Sequence, residues 1–252
     1  MMMHIAKAQL RRWFRSPASW ILLAALVFLL AFLFLLFVET FLDHIQPANL
    51  TARHPLSLSD AVILPYLWWS GVVLLGLLPF LTMRLISGEY QQDSWPLLAA
   101  APLRGRTLVL GKFLGLEIFL TLIVALVAIL PLTLMFGAAI DLPRLGSGVL
   151  GLWLLLLSMG AAGLFCSTLS SEPTLAALAT YGLMLVLALF YFAGNLPGAI
   201  SPGLYYLAHF AHYPPWLEGR FDSRHLTYYG LFTVFFLWLS IRRLDYRDLR
   251  GH

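Results

Sequence analysis

The sequence predicts an all-α integral membrane protein with six transmembrane helices. Hydrophobic residues fill 60% of the 252 positions and charged residues only 11%, against roughly 25% charged residues in soluble proteins. The apolar residues fall in long uncharged runs, most of them long enough to cross a bilayer as a helix. This pattern excludes a soluble globular domain. The net charge of +4 fits loops beside an anionic leaflet better than nucleic-acid binding.

Residues 3–15 are predicted to form an amphipathic helix in the inner membrane interface. On a helix the basic residues fall on one side and the apolar residues on the other, as in interfacial helices. The basic residues are Lys7, Arg11, Arg12 and Arg15. The alternative is a basic flank that only orients the first span.

Six apolar runs are predicted to cross the membrane. They lie at about 20–38, 61–83, 113–140, 145–171, 174–195 and 226–241. Residues 39–60 form a polar external loop, Pro65 and Pro79 bend the second span, and Pro131 kinks the third. The fourth span is rich in small residues, which allow close helix packing. These are Gly148, Gly151, Gly160, Gly163 and Ser167.

Residues 197–225 are predicted to form an external hairpin that does not cross the membrane. Pro202, Pro214 and Pro215 interrupt this apolar stretch, and irregular backbone is not tolerated in lipid. One or two short helices would dip into the outer interface, where aromatic residues are favoured. The aromatic residues are Tyr205, Tyr206, Tyr213 and Trp216.

The distribution of basic residues orients the chain. Of the 16 Lys and Arg residues, twelve fall in the segments on the side of the N-terminus. The other four are Arg53, Arg144, Arg220 and Arg224. By the positive-inside rule both termini are cytoplasmic.

Residues 84–112, between the second and third spans, are therefore predicted to be cytoplasmic. Within them, Glu89 to Trp95 can continue a helix, Pro96 bends it, and Leu97 to Ala101 form an apolar patch. A rigid, half-apolar piece held beside the membrane is typical of a docking surface for another protein. The alternative is a loop that rests on lipid headgroups with Trp95 as an anchor.

Ionisable residues within the spans are few. Glu117 is the acid that lies deepest in an apolar run, and Lys112 is its expected interfacial partner. A substrate or proton role for Glu117 stands beside a structural acid that snorkels to the interface. The phosphate-binding loop G-x-x-x-x-G-K-[ST] is absent, so we expect no ATP bound by this chain itself.

The hairpin contains the pair His209-x-x-His212, with Glu218 and Asp222 downstream. Two histidines on one helical face suggest a metal site, but zinc sites need three or four ligands. The alternative is polar tips at the water boundary. We therefore predict no metal, no cofactor and no catalytic residue in this chain, which is a non-catalytic membrane subunit.

Several motifs resemble a known family. Arg84 to Glu89, then Ala101-Pro102-Leu103-Arg104, then Leu110-Gly111-Lys112-Phe113 resemble the region after the second span of type-2 ABC exporter permeases. The C-terminal third looks like the gliding-motility type permease subunit, to which the permease of nitrous-oxide reductase maturation is related. Its matching residues are His209-Phe210, Gly219 to Arg224, Tyr228-Tyr229 and Arg242-Arg243-Leu244.

The resemblance implies a multi-pass permease of the bacterial inner membrane that works with two copies of a separate ABC ATPase. ATP and Mg²⁺ would bind to that ATPase. Further implied partners are a second copy of this chain or a similar permease, packed through the first and fifth spans, together with membrane lipid and an accessory external protein. No nucleic acid is implied. The segment after the second span would be the coupling helix. Its residues are Glu89, Asp93, Trp95, Leu97, Leu98, Leu103 and Arg104, and those of the external hairpin are His209, His212, Arg220, Asp222 and Arg224.

Three functions are then open. The first is an ATP-driven exporter or extruder of an unidentified substrate. The second is a mechanotransmission or scaffold subunit that uses ATPase motion without moving a substrate. The third, an ATP-independent channel or carrier, leaves the docking segment unexplained.

Overall fold

The computed structural model describes residues 1–49, 56–91, 105–137, 140–196, 198 and 201–250. These residues form helices and turns, with no strand among them, which confirms the all-α prediction. Five of the described helices are long and apolar enough to cross a membrane: Ser19–Ile45, Ser59–Tyr90, Gly105–Phe136, Leu142–Leu169 and Pro173–Gly194. The sixth predicted span lies in Ser223–Arg250. It is not among the five, so a sixth crossing stays a prediction.

The first two helices are separated by one residue. Helix α1 is Met2–Arg15 and α2 is Pro17–Thr40. Ser16 between them has an extended backbone, and Pro17 occupies the first turn of α2, where its missing N–H costs nothing. The helix then continues through a π-helical turn, Phe41–Ile45, into α3, Gln46–Asn49. The prediction of a loop is therefore wrong over 39–49. The change from apolar to polar residues marks where a span can leave the membrane, but the helix continues past that point.

Helix α4, Leu64–Thr82, follows a π-helical turn at Ser59–Ile63. Two hydrogen bonds between Ser57 and Asp60 hold the start of this turn. The Ser57 hydroxyl accepts from Asp60 N at 3.1 Å and donates to the Asp60 carboxylate at 2.6 Å. Pro65 lies in the first turn of α4, whereas Pro79 lies inside the helix. A turn then leads into α5, Ser87–Gln91.

Helix α6, Gly105–Thr133, continues into a short 3-10 turn, Leu134–Phe136. It begins eight residues before the predicted third span. Residues 105–112 are thus the first two turns of a membrane helix rather than part of an irregular segment. Lys112 lies in these two turns, and its charge is paired with Glu89 of α5.

Helix α7, Leu142–Leu169, is the centre of the bundle, and α8 is Pro173–Gly194. In the most apolar stretch of α7, 72% of the residues are buried, whereas the share is 17% in α2 and 17% in α8. Small residues make this possible. A Cβ on Gly151 would lie 2.4 Å from Trp216 Cβ, and one on Gly163 would lie 2.4 Å from Thr82 Oγ1. The small residues predicted to permit close packing do so.

The segment after α8 folds back onto the bundle. It comprises α9, Ser201–Leu207, a 3-10 turn at His209–His212, and α10, Pro214–Leu217, before α11, Ser223–Arg250. Of its four predicted interfacial aromatic residues, Tyr205 and Tyr206 are exposed, but Tyr213 and Trp216 are buried. The prediction is wrong for these two. The slot left by Gly151 admits the indole, and the Tyr213 hydroxyl donates to Leu67 O at 3.0 Å.

Candidate functional site

The predicted coupling segment borders one end of the bundle. At this end α1 packs on α6 and contacts α5 through Arg12 and Glu89. The turn before α5 contacts the end of α7 through Ser167. We call this end the α1 end, and the opposite end, which carries residues 201–217, the hairpin end. The described parts of the predicted cytoplasmic segment, 84–91 and 105–112, lie at the α1 end.

Helix α1 packs lengthwise on α6 through two glycines. A Cβ on Gly111 would lie 2.8 Å from Ile5 Cβ, and one on Gly115 would lie 3.1 Å from Gln9 Cβ. One turn further along, the Trp13 and Phe119 rings have centroids 4.8 Å apart. Part of the apolar face of α1, including Ala6 and Trp13, is therefore covered by α6, whereas Phe14 is 41% exposed. The sequence reading missed this role, although Gly111-x-x-x-Gly115 is the small-x-x-x-small signal for close helix approach.

An ion cluster, buried at Glu89 and Lys112 and half-exposed at Arg12, joins three elements at the α1 end. Glu89 Oε1 lies 2.6 Å from Lys112 Nζ and 3.0 Å from Arg12 NH1. Glu89 and Lys112 are 6% and 3% exposed. Removing one partner of such a pair is far more costly than the pair is stabilising, because it leaves an uncompensated charge in a poorly solvated place. The cluster thus fixes α5 against both α1 and α6.

The predicted pairing of Lys112 with Glu117 is wrong. Residues three or four apart share a helix face, and residues five apart do not, so Lys112 instead reaches Glu89 on another element. Glu117 points into the bundle, where it is 7% exposed. Neither of its carboxylate oxygens has a hydrogen bond to the described part of the chain. The expectation that Glu117 snorkels is therefore also wrong.

The turn between α4 and α5 is held by a single serine of α7. Ser167 Oγ accepts from Ile86 N and from Ser87 N, each at 3.0 Å, and donates to Met83 O at 3.0 Å. The first N–H groups of a helix have no partner within the helix, so Ser167 supplies one from outside. Close contact between Gly163 and Thr82, one turn along α7, brings the backbone within reach.

Of the predicted coupling residues, Glu89 lies within the described residues. Its carboxylate turns inward to Lys112 and Arg12. The others lie outside the described residues: Asp93, Trp95, Leu97, Leu98, Leu103 and Arg104. We call residues 83–91 the base of the coupling segment. Side chains of three different helices contact this base: Arg12 of α1, Lys112 of α6 and Ser167 of α7.

The hairpin histidines are inside the protein and not at a water boundary. His209 Nε2 lies 3.1 Å from Ser158 Oγ on α7. Because the Ser158 hydroxyl donates to Leu154 O at 2.8 Å, Nε2–H is the donor to the serine oxygen. Burial lowers the pKa of His209 to about 3, so the imidazole is neutral.

His212 links the hairpin to α11. Its Nε2–H donates to Tyr206 O at 2.8 Å, and its Nδ1 lies 2.7 Å from Nδ1 of His225. Burial lowers the pKa of His212 to about 4. The ring also stacks on Tyr228, with centroids 3.8 Å apart. Among the described residues, no three potential metal ligands come together.

The charged residues of the hairpin have local partners. Arg220 pairs with Glu218, and Asp222 accepts from Arg224 N at 2.9 Å at the start of α11. These side chains do not converge with the two histidines on one site. Arg144 instead clamps this end, because it contacts Asp60 at 2.7 Å and Leu217 O at 3.1 Å.

An apolar cavity of about 350 Å³ lies between α4, α7, α8 and the hairpin. Trp68, Met159, Met184 and Phe210 are among its lining residues, and the His209 ring is at its edge. Its lining is almost wholly apolar and aromatic, with little to orient a polar ligand.

Comparison with known proteins gives one family. The model of the family described as ABC-2 family transporter protein matches residues 3–213. The match includes the α1 end, the central helix α7 and most of the hairpin, while α11 lies beyond it. No curated protein matches the chain.

Proposed function

Since this chain belongs to the ABC-2 family of transporters, we propose that it couples ATP hydrolysis by a partner ATPase to the export or extrusion of a substrate. Membership makes it a multi-pass permease subunit of an ABC transporter, and the family implies partnership with an ABC ATPase. Direction of transport, coupling and stoichiometry are the proposal. Two ATPase copies would bind ATP and Mg²⁺ and dock at the α1 end.

The ion cluster in which half-exposed Arg12 and buried Lys112 share the buried Glu89 carboxylate carries this proposal. A docking segment can transmit force only if its base is fixed to the helices that must move. Glu89 fixes the base to α1 and α6, and Ser167 fixes it to α7. A partner that displaces the segment would then displace three helices together instead of unwinding a loop.

The orientation follows from the same proposal. If the ATPase docks at the α1 end, this end is cytoplasmic, and the basic residues of α1 agree with that. The hairpin end is then external. A sixth crossing by α11 returns the C-terminus to the cytoplasm, in the inner membrane of a bacterium.

We further propose that two permease subunits pair through α2 and α8, either as a homodimer or with a similar permease. These helices are the least buried of the five spans. Both present bulky apolar residues outward, among them Phe28, Phe32, Leu178 and Leu185. Lipid could cover these faces as well, so crosslinking across α2 in native membranes is the direct test.

The alternative is a subunit that transmits force without moving a substrate. A rigid base suits this function equally, and the cavity of about 350 Å³ is small for a polymer. Flux of candidate substrates into sealed vesicles separates the two. The gliding-motility likeness bears on this alternative and stays part of the proposal.

The coupling proposal is tested by Trp95→Ala combined with Leu98→Ala. The double variant should insert and fold but bind the ATPase roughly thirtyfold more weakly, since losing an aromatic anchor typically costs about 2 kcal/mol. A matched control is Trp69→Ala combined with Leu231→Ala, two exposed apolar positions far from the α1 end. Unchanged affinity and unchanged stimulation of ATP turnover in the first variant would contradict the proposal.

A further inference from the structure

A groove opens at the α1 end between α1, α2 and the end of α4. Its volume is about 550 Å³. Polar and apolar residues both line it, and we call these two sets its polar part and its apolar part. The polar part includes Arg12, Arg84, Ser16 and Ser19. The turn fixed by Ser167 forms part of its wall, so the groove is bounded by the base of the coupling segment.

The groove carries an excess of positive charge. Arg12 shares the Glu89 carboxylate with Lys112, so two cations contact one carboxylate in that cluster. Arg84 adds a further exposed guanidinium. Among the described residues that line the groove, none is acidic. An anionic ligand is therefore favoured over a cationic or a neutral one.

The apolar part of the lining limits the kind of anion. Leu22 of α2 and Phe80 of α4 lie on this side, and Phe80 is 50% exposed. The surface continues along Ile21 on the outer face of α2, which is a membrane-facing helix by length and composition. A soluble anion would leave this apolar part uncovered, whereas a lipid would cover it with its chains.

We propose that the groove binds one anionic glycerophospholipid of the adjoining leaflet. Its phosphate would contact the guanidinium groups of Arg84 and Arg12, because arginine forms paired hydrogen bonds to phosphate oxygens. The hydroxyls of Ser16 and Ser19 can donate to the glycerol ester region. The acyl chains would run along Leu22 and Phe80. The site does not depend on the ATPase or on the direction of transport.

The test uses native mass spectrometry of the full chain released from nanodiscs that contain equal amounts of phosphatidylglycerol and phosphatidylcholine of the same chain length. The unmodified protein should retain one phosphatidylglycerol in preference to phosphatidylcholine. Arg84→Gln should lower this retention about tenfold, the effect of losing one charge-assisted contact. Arg15→Gln, an exposed arginine of α1 that does not line the groove, is the matched control and should retain the lipid.

Arg84 is used because Arg12 also holds Glu89, so a change at Arg12 would disturb the fold. Ser16→Ala with Ser19→Ala provides a second variant, which should lower retention to a smaller extent. Three results would overturn the proposal. They are equal retention of the two lipids, equal loss in Arg84→Gln and Arg15→Gln, and displacement of the lipid by millimolar inorganic phosphate. The last result would assign the site to a soluble anion instead.

Discussion

The ammonium group of Lys112, near the start of α6, lies 2.6 Å from the carboxylate of Glu89 in α5. Glu89 ends the first of the motifs after the second span, and Lys112 belongs to the last. The contact therefore joins the two described ends of the predicted coupling segment, α5 and the start of α6.

Replacing Lys112 with methionine should destabilise the protein strongly. Methionine keeps much of the side-chain volume but removes the cation nearest to the buried Glu89 carboxylate. Breaking a buried pair costs about 3–5 kcal/mol. Thermal unfolding of the purified chain, followed by size-exclusion fluorescence, measures the loss. Lys7→Met, on the exposed side of α1, should have little effect. Equal unfolding temperatures for both variants would show that the cluster is not structural.

Leucine at Gly111 should displace α1 from α6. Its Cβ would overlap Ile5, which would approach within 2.8 Å, and overpacking of this kind costs about 1–3 kcal/mol. We expect a lower unfolding temperature and faster proteolysis of α1. Gly182→Leu on α8 is the control, because no atom lies within 4 Å of its added Cβ. If both variants behave alike, α1 is not held by the two glycines.

Acid should destabilise the hairpin. His209 is buried in its neutral form, and its pKa is lowered to about 3 from an ordinary value of 6.5. Below about pH 6.5, His209 is protonated in the unfolded chain but stays neutral in the folded chain. The free energy of unfolding is therefore highest above this pH. It falls by about 1.4 kcal/mol per pH unit until the pH reaches the pKa of His209 in the folded chain.

The measurement compares the unfolding temperature at pH 7.5 and pH 5 with that of His209→Gln. The variant should be less stable at pH 7.5, since it disturbs the contact with Ser158, yet it should lose less on acidification. An equal loss in both proteins would assign the pH dependence to other groups, of which His212 is the first to examine.

Glutamine at Glu117 should be tolerated or should stabilise the protein. It has the same shape, and it removes an ionisable group from a buried position where its oxygens have no described hydrogen bond. Such groups are costly inside a membrane protein. Thermal unfolding measures stability, and ATPase stimulation measures function. A folded variant that loses all stimulation would instead support the proton or substrate role.

Local sequence patterns predicted most of the helices. The uncharged runs of α2, α7 and α8 appear in the structure because their length and composition determine them without reference to other elements. Helix ends were predicted less well. The chain stays helical through residues 39–49, where the sequence predicted a loop.

The site depended on contacts between distant residues, which a single sequence does not display. Lys112 had a nearby acid in Glu117 and a distant one in Glu89, and only the packing of α5 against α6 selects the second. Trp216 suited the membrane interface by residue type, but a glycine 65 positions earlier gives it a buried slot. Gly111 and Gly115 could have been read as a helix contact, although the sequence does not say that α1 is the partner.

The central claim is that the Glu89–Lys112 contact transmits ATPase motion, and one double variant tests it most directly. Glu89→Gln with Lys112→Met removes both buried charges of the pair, a change that is often neutral for stability. We predict that the purified variant folds and binds the ATPase with unchanged affinity, while its stimulation of ATP turnover falls about tenfold or more. Unchanged stimulation by a folded, bound variant would contradict the account.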